Sequence, residues 1–412
     1  NIQSSLIELY GELILQRGNF AFHSAQYKQS EAFFQESLSI FRNIHNNIGI
    51  ANALDGLGCL ARRMGETSQA INRHRESMEL FKISNDPHGL AISLHHLGKV
   101  HNLMGKNRHA YQVYKESLEY FRRIGDVRHV ASLLLDLGIS AGKLGLLEEQ
   151  RQLFNESLSL RRTLDDKPGL ASSLEMIGYL EYFLGNISNA RQILQESLNI
   201  RRDIGDRWGI ASSKISLANV FEALNEVLEA HRLYSESAVA FRDIGYKRGL
   251  ARALNRLGAL KQKTGEIKEA HNLLTESYSL FERIDDKLGM MQAKLYLASG
   301  TLNNIGVSEA RTHYKTLFKL MKQVDHKEIQ LEALIRFAEF FQNKYICHME
   351  LSKNILEYVI SQKGLRKQSS DFAQKMLKVC IHSKTLDAIP KKRRTLSKSS
   401  LLNQIHRILA EA

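Results

Sequence analysis

A strict 40-residue period constrains this chain more than any other feature of its sequence. A Glu-Ser pair followed by an apolar residue recurs seven times without an insertion or deletion, with its glutamate at positions 36, 76, 116, 156, 196, 236 and 276. A fixed period of roughly 20–50 residues is typical of solenoids, propellers and other repeat arrays. We therefore expect the 412 residues to fold as a row of similar units.

Each period is predicted to contain a first helix, here called helix A. Apolar residues recur within it at helical spacing, as at Ala51, Leu54 and Leu57, and they mark one buried stripe. A Leu-Gly pair lies in the same helix at Leu57-Gly58, Leu97-Gly98, Leu137-Gly138 and Leu257-Gly258. Helix A should end at residues that tolerate a left-handed backbone, which are Gly65, Gly105, Gly145, Gly185, Asn225 and Gly265.

A second helix, helix B, is predicted to follow at once, with an apolar stripe such as Ala190, Ile193, Leu194 and Leu198. It should end at a second repeat position whose residues tolerate a left-handed backbone, and this position holds His45, Asn85, Gly125, Asp165, Gly205, Gly245 and Asp285. The next column should cap the following helix A by accepting hydrogen bonds from its first N–H groups; it holds Asn46, Asp86, Asp126, Asp166, Asp206, Tyr246 and Asp286. The repeated serine lies inside helix B, where a small side chain allows close packing. The repeated glutamate is expected at the surface, solvated or paired with arginine.

These motifs resemble the tetratricopeptide repeat in its 40-residue variety. The shared pattern is Leu-Gly in helix A, an early alanine in helix B such as Ala70, and a large residue four positions later at His74, Tyr114, Phe154, Tyr234 and Tyr314. The usual proline after helix B is absent, and the usual aromatic residue early in helix A is aliphatic. The resemblance implies an all-α fold, a right-handed α-solenoid or superhelix of about eight helical hairpins with a C-terminal helical cap.

The period also predicts the domain organisation. Residues 1–325 should form the array of eight repeats, and residues 326–384 an irregular ninth repeat with capping helices over 327–344, 346–363 and 369–383. Residues 385–412 read as a basic linker, with Lys391–Arg394 at its centre, followed by a terminal amphipathic helix over Leu401–Leu409. The ending also resembles that of bacterial signal-transduction ATPases of the STAND class. Because there is no initiator Met, we expect a fragment whose effector module lies upstream.

Composition and charge narrow the functional class. The net charge is +13, of which +8 falls in residues 321–412, so the repeats are only mildly basic. No apolar run approaches the ~20 residues that span a bilayer. Three scattered cysteines, Cys59, Cys347 and Cys380, argue against a disulfide framework and against zinc. We expect a cytoplasmic protein with no membrane partner.

The residue patterns of catalysis and metal binding are not found. There is no GxxxxGK[ST] or HExxH motif, and seven identical Glu-Ser pairs do not suit a single active site. His95, His96 and His101 do not share a helical face as i, i+4 ligands would, so we expect them to be exposed. We predict no enzymatic activity, no cofactor and no metal.

What remains is the variable face of the A helices, which lines the binding groove in the family that the chain resembles. Unlike the packing columns, these positions change from repeat to repeat. The predicted binding residues are Asn52, Asp55, Arg62, Arg63, His95, Lys99, Asn102, Glu175, Tyr179, Tyr182, Phe183, Asn219, Arg252, Asn255 and Lys263. Two patches stand out: a basic wall of Arg62, Arg63, His95 and Lys99 that would suit an acidic ligand, and an aromatic cluster of Tyr179, Tyr182 and Phe183. An ordinary solvated face and inter-repeat packing, respectively, are the alternatives.

We therefore expect a scaffold that binds a protein or a peptide, and an acidic peptide is one of the expected ligands. The scaffold is expected to be the ligand-sensing region of a bacterial signalling protein with an upstream ATPase module. The first alternative is a stand-alone adaptor that brings protein partners together. The second is a nucleic-acid-associated regulator, whose affinity would fall steeply with salt.

Overall fold

A computed structural model of the chain describes residues 2–24, 26–304, 307–324, 327–344, 349–361, 370–371, 373–376 and 405. Every regular element in these ranges is an α-helix. The first eight are α1 Ile2–His23, α2 Tyr27–Asn43, α3 Asn47–Met64, α4 Thr67–Ile83, α5 Pro87–Leu103, α6 Asn107–Ile124, α7 Val127–Lys143 and α8 Leu147–Thr163. The next eight are α9 Lys167–Leu184, α10 Ile187–Asp203, α11 Arg207–Ala223, α12 Val227–Ile244, α13 Lys247–Lys263, α14 Ile267–Arg283, α15 Lys287–Asn304 and α16 Val307–Met321. They are followed by α17 Lys327–Lys344 and α18 Met349–Ile360.

Up to α16, odd-numbered helices are the predicted A helices and even-numbered ones the B helices. The chain forms two compact units, one of Asn1–Ala141 with Gln152–Leu164 and the other of Gly142–Arg151 with Asp165–Ala412. Within each unit, A and B helices pair as hairpins and each B helix packs on the next A helix, as α3, α4 and α5 do. The predicted all-α array of helical hairpins is confirmed.

The predicted turns are confirmed as well. Positive φ angles occur at Gly65, Gly185 and Gly265 after A helices and at His45, Asp165 and Gly245 after B helices, along with the other predicted members of both columns. The capping column behaves as expected, because the Asn46 side chain accepts a hydrogen bond from the Gly49 N–H at 2.9 Å. The equivalent bond to Asp286 from Gly289 measures 3.0 Å. Tyr246 occupies the same column without a side-chain cap.

The repeated serine has a role beyond small size. In each of the seven copies it is fully buried, and its hydroxyl donates to a backbone carbonyl 26 residues earlier, on helix A of the same hairpin. The acceptor is Gly11 in the first copy and a fully buried alanine in the others, as in the 2.8 Å bond from Ser157 to Ala131. The repeated glutamates lie at the surface, where Glu156 and Glu276 pair with arginines of the preceding helix B.

Large side chains pack on small ones at fixed places. A Cβ added to Gly98 would lie 2.3 Å from the Tyr114 ring, and one added to Gly89 would lie 2.3 Å from Phe81. The first contact joins helices A and B of one hairpin, and the second joins helix B to the next helix A. Such contacts leave no room for a larger residue at the glycine.

The C-terminal region follows the prediction where it is described. Helix α17 spans 327–344 as expected, α18 lies within the predicted 346–363 segment, and residues 370–371 and 373–376 are helical. Ser352 donates to the Ala338 carbonyl at 3.0 Å, which joins α18 to α17. The linker and terminal helix predicted for 385–412, apart from the buried Ile405, lie outside the described residues, as do Cys347 and Cys380. The domain boundaries stay predictions. No described helix is long and apolar enough to cross a membrane.

The serine bond gives a testable prediction. Ser157→Ala should lower the free energy of unfolding by about 1 kcal/mol, because the buried Ala131 carbonyl loses a hydrogen-bond donor. Ser159→Ala, two residues along the same helix at an exposed position, is the matched control and should change stability by less than about 0.5 kcal/mol. Urea denaturation followed by circular dichroism measures both; equal stability of the two variants would contradict the role of the bond.

Candidate binding site on the A helices

The residues predicted to face a ligand differ widely in exposure. The exposed ones are Asn52, Arg63, Arg252 and Lys263. The half-buried ones are Arg62, Lys99, Asn102, Tyr179, Tyr182 and Phe183. The buried ones are Asp55, His95, Glu175, Asn219 and Asn255. Since a ligand can reach only the first two groups without rearrangement, the accessible face is narrower than the predicted one, and whether it binds a ligand stays a prediction.

The buried members lie where consecutive A helices meet, here called the seam. Polar side chains there contact a residue 41 positions later, on the next helix A. Asp55 Oδ2 lies 2.7 Å from His96 Nδ1, His95 Nε2 lies 2.7 Å from Asp136 Oδ2, and Ser216 Oγ donates to Glu175 at 2.9 Å. These contacts join one repeat to the next.

The seam between α3 and α5 is here called the first seam. Side chains from three helices meet there around the carboxylate of Asp55. Asp55 on α3 also contacts His74 on α4, with 2.8 Å between Oδ1 and Nδ1. Burial opposes ionisation of Asp55, but His96 and His74 outweigh it and hold the pKa of this carboxyl well below its usual range. Burial likewise opposes the charge on His96, yet Asp55 and the buried Cys59 thiol raise the pKa of His96 to about 10. Asp55 and His96 therefore form an ion pair at neutral pH.

The seam between α5 and α7, here called the second seam, makes the predicted basic wall less basic than expected. Burial lowers the pKa of His95 to about 4, although its hydrogen bond with Asp136 acts in the opposite direction, so the ring is neutral at pH 7. Lys99 Nζ lies 3.6 Å from the same Asp136 carboxylate, which offsets its charge. Arg63 stacks over the Phe22 ring at 5.6 Å. The basic character of this region therefore rests mainly on Arg62 and Arg63.

The expectation that the neighbouring histidines are exposed is wrong. His95 and His101 are 5% and 8% exposed, and only His96 is half-buried. Their burial follows from the seam, because consecutive A helices cover positions that an isolated amphipathic helix would leave in solvent. Periodicity within one helix does not reveal this covering.

A buried ion pair occupies the second unit. Arg201 on α10 is 2% exposed, and its Nη2 lies 2.7 Å from Glu175 Oε2 on α9. Its Nη1 donates to the Gly209 carbonyl at 2.6 Å, and Ser212 donates to Glu175 at 3.0 Å. Arg201 stands in the column that holds phenylalanine at Phe41, Phe81, Phe121, Phe241 and Phe281. Arg161 is a second arginine in this column, so the ion pair replaces an aromatic contact only of the repeats that carry phenylalanine there.

The aromatic cluster lies on α9 of the same unit. The Tyr179 and Tyr182 rings are 6.4 Å apart, and Tyr182 packs against the buried cluster of α10–α13. The same columns hold Asn219 and Glu222 on α11, where the buried Tyr234 hydroxyl donates to Asn219 Oδ1 at 2.7 Å and lies 3.1 Å from Glu222 Oε2. Lys263 on α13 pairs with Glu222. Three consecutive A helices thus present aromatic, acidic and basic groups side by side.

Two groups of side chains have the composition of metal ligands. Asp55, His74 and His96 form one, and His88, Asp126 and His129 form the other; within each group the candidate ligand atoms lie within 4.8 Å of one another. Neither was found from sequence spacing, because each group draws its members from more than one helix. The signal that could have found the first group is the single histidine in an otherwise apolar or aromatic column, His74.

Two segments of the chain match a known repeat family. A family model described as tetratricopeptide repeat matches residues 11–83 and 129–203, which cover most of α1 to α4 and α7 to α10. The same packing columns continue through the remaining hairpins. These two segments carry tetratricopeptide repeats. No curated protein matches the sequence.

Solved structures share the fold of this tetratricopeptide array at low sequence identity. A Rap protein complexed with competence and sporulation factor has a TM-score of 0.62 and 13% identity over 91% of this chain and 98% of its own. NprR in complex with its cognate peptide NprX has a TM-score of 0.56 and 17% identity, covering 76% and 88%. A STAND protein with a tetratricopeptide repeat sensor from Pyrococcus horikoshii has a TM-score of 0.52 and 13% identity, covering 97% of this chain and 55% of its own.

The buried ion pair gives the second prediction. Arg201→Phe should lower the free energy of unfolding by about 3–5 kcal/mol, because it leaves the Glu175 carboxylate buried without its cation. The double variant Glu175→Leu/Arg201→Phe should recover most of that loss, since both residues then match other repeats, as at Leu135 and Phe241. Chemical denaturation of the two variants measures the difference; an additive loss in the double variant would contradict the pairing.

Proposed function

We propose that this chain binds a peptide or an extended protein segment on the A-helix face of α9, α11 and α13. The observation that carries the proposal is the side-chain set there: the half-buried Tyr179 and Tyr182 beside Glu222 and Lys263. Aromatic residues in a partly enclosed site supply most of the affinity of many interfaces. Charged groups beside them orient the ligand and select its sequence.

The packing pattern supports this choice of face. The residues that recur from repeat to repeat, such as the buried serines and alanines, join one helix to another and are not accessible to a ligand. The repeated Glu-Ser pairs serve packing and surface ion pairs, so catalysis is not part of the proposal. Two of the proteins that share the fold were solved with the factor or cognate peptide named for them, which makes a peptide the first ligand to test.

The test uses a phage-displayed library of random peptides selected on the immobilised chain. The affinity of selected peptides is then measured by fluorescence anisotropy with purified variants. Tyr179→Ala/Tyr182→Ala should weaken binding at least about tenfold, since a buried aromatic anchor contributes ~2 kcal/mol or more. Tyr278→Ala, on the B helix α14 of the same unit, should leave the affinity within about twofold.

The peptide affinities of the variants show whether the peptide binds on the A-helix face or on the B-helix face. Equal affinity in the wild type and the double variant, with equal helicity, would place the peptide elsewhere and sink the proposed site. A loss of affinity in Tyr278→Ala alone would move it to the B-helix face. Peptides whose affinity falls in steep proportion to salt would instead point to the basic region of Arg62 and Arg63.

We further propose that the array is the sensing region of a bacterial signalling protein whose ATPase module lies upstream. The shared fold with a STAND protein that carries a tetratricopeptide repeat sensor supports this, as does the fact that the alignment covers only about half of that protein (55%). Peptide binding to the array would then change its contacts with the ATPase.

The complete open reading frame provides the test of that arrangement. We expect a GxxxxGK[ST] phosphate-binding motif upstream of residue 1, and we expect selected peptides to change the ATP hydrolysis rate of the full-length protein. The Tyr179→Ala/Tyr182→Ala variant of that protein should keep its basal rate and lose the response. An open reading frame without such a module would favour the stand-alone adaptor.

A further inference from the structure

The first seam holds side chains with the chemistry of a metal centre. Asp55 on α3 offers both carboxylate oxygens, one 2.8 Å from His74 Nδ1 on α4 and the other 2.7 Å from His96 Nδ1 on α5. Cys59, one helical turn after Asp55, lies near His96 and helps to raise the pKa of its ring. Carboxylate, imidazole and thiolate are the three ligand types that proteins use for Zn²⁺.

We propose that Asp55, His74 and His96 bind one Zn²⁺, with Cys59 as the fourth ligand. The metal replaces the protons between the histidine Nδ1 atoms and the Asp55 oxygens and the proton of the thiol, and these protons are released to solvent. The ligand atoms of the first three residues already lie within 4.8 Å of one another. Zinc bonds of about 2.0–2.3 Å require neighbouring ligand atoms slightly further apart than the present hydrogen bonds. Binding therefore requires the three side chains to rotate apart slightly, and it requires the Cys59 side chain, which lies outside this group, to turn toward the ion.

This donor set does not follow from the repeat. The column of Asp55 holds Leu15, His95, Leu135, Glu175, Ile215, Asn255 and Leu295 in other copies, and the column of His74 holds Phe34, Tyr114, Phe154, Leu194, Tyr234, Leu274 and Tyr314. The column of His96 holds Gly56, Asp136, Met176, Ser216, Arg256 and Tyr296. Other repeats fold without this combination of ligand types, which coincides at the seam between α3 and α5.

His74 is the most informative of these residues. It is fully buried, in a column where other repeats place an apolar or aromatic ring. Its Nε2 atom is buried and has no hydrogen-bond partner among the described residues. A buried polar atom without a partner costs about 1–3 kcal/mol, so packing alone favours phenylalanine or leucine here. Coordination of a cation through Nδ1, the ring nitrogen that faces Asp55, would give this histidine a role that phenylalanine cannot fill.

The group of His88, Asp126 and His129 fits a metal less well. Asp126 is the N-cap of α7, since its Oδ1 accepts from the His129 N–H at 3.1 Å. Both histidine rings contact the other oxygen, Oδ2, at 3.0 and 2.7 Å. All three residues are half-buried. This group serves the helix start, and it supplies the matched control for the zinc site.

Zinc at the first seam would join α3, α4 and α5, and so fix one repeat to the next. Binding to the folded state alone stabilises it in proportion to the logarithm of the metal concentration. Because stability in a repeat array is close to a sum of repeat and interface terms, the effect should be concentrated in the repeats that contain the ligands.

The experiment measures Zn²⁺ binding to the full chain by isothermal titration calorimetry and by metal analysis after dialysis. We expect one Zn²⁺ per chain in the wild type. His74→Phe should weaken binding by more than about tenfold, the loss seen even for groups that only support a ligand. His129→Gln should bind as the wild type does. Zn²⁺ should raise the Tm of the wild type and of His129→Gln but not that of His74→Phe.

Phenylalanine is the residue that Phe34 and Phe154 already place in this column, so His74→Phe should fold, and circular dichroism checks this. Replacing Zn²⁺ with Co²⁺ tests the thiolate, because a sulfur-to-cobalt charge-transfer band should appear and be lost in Cys59→Ser. Absence of Zn²⁺ binding by the wild type overturns the proposal. So does binding that survives in His74→Phe or disappears in His129→Gln.

Discussion

The hydrogen bond from the repeated serine to the helix A carbonyl is the constraint on which the hairpins depend. Its hydroxyl is buried, so it needs an acceptor, and in most copies the acceptor is the carbonyl of an alanine with no exposed surface. The bond therefore fixes both the closeness of the two helices and the number of residues between them. An insertion anywhere within those 26 residues would strand a buried donor, so the bond constrains the spacing inside each of the seven hairpins.

The fold was predictable because its determinants are local and repeated. Residues with a left-handed backbone conformation, such as Gly65 and Asp165, end helices, and Asn46 and its equivalents cap the start of the next helix. Glycines such as Gly98 make room for an aromatic ring of the partner helix. Each signal is weak alone, but seven copies average out the exceptions, such as the uncapped Tyr246. The function of the serine was only half predicted, because periodicity shows that a residue is small and buried without showing which carbonyl its hydroxyl reaches.

The candidate site was less predictable for a physical reason. Helical periodicity assigns a residue to a face, but a seam brings that face against the next helix A. Asp55 and His95 were predicted to face a ligand and are instead buried against His96 and Asp136. The aromatic pair Tyr179 and Tyr182, by contrast, stays half-buried on the accessible face. Contacts between residues 41 positions apart depend on the variable columns, where no copy informs another.

The polar seams show how a repeat array tolerates charge inside. An unpaired buried charge costs several kcal/mol, so a charged residue persists at a seam only with a partner on a neighbouring helix. Asp55 has His96 and Glu175 has Arg201, and each pair differs from the apolar contacts of other repeats. Because each array element contacts only its neighbours, such a pair makes one interface chemically unlike the rest. A ligand or ion that binds there changes the stability of adjacent repeats first, and this is how a uniform array can acquire a local response.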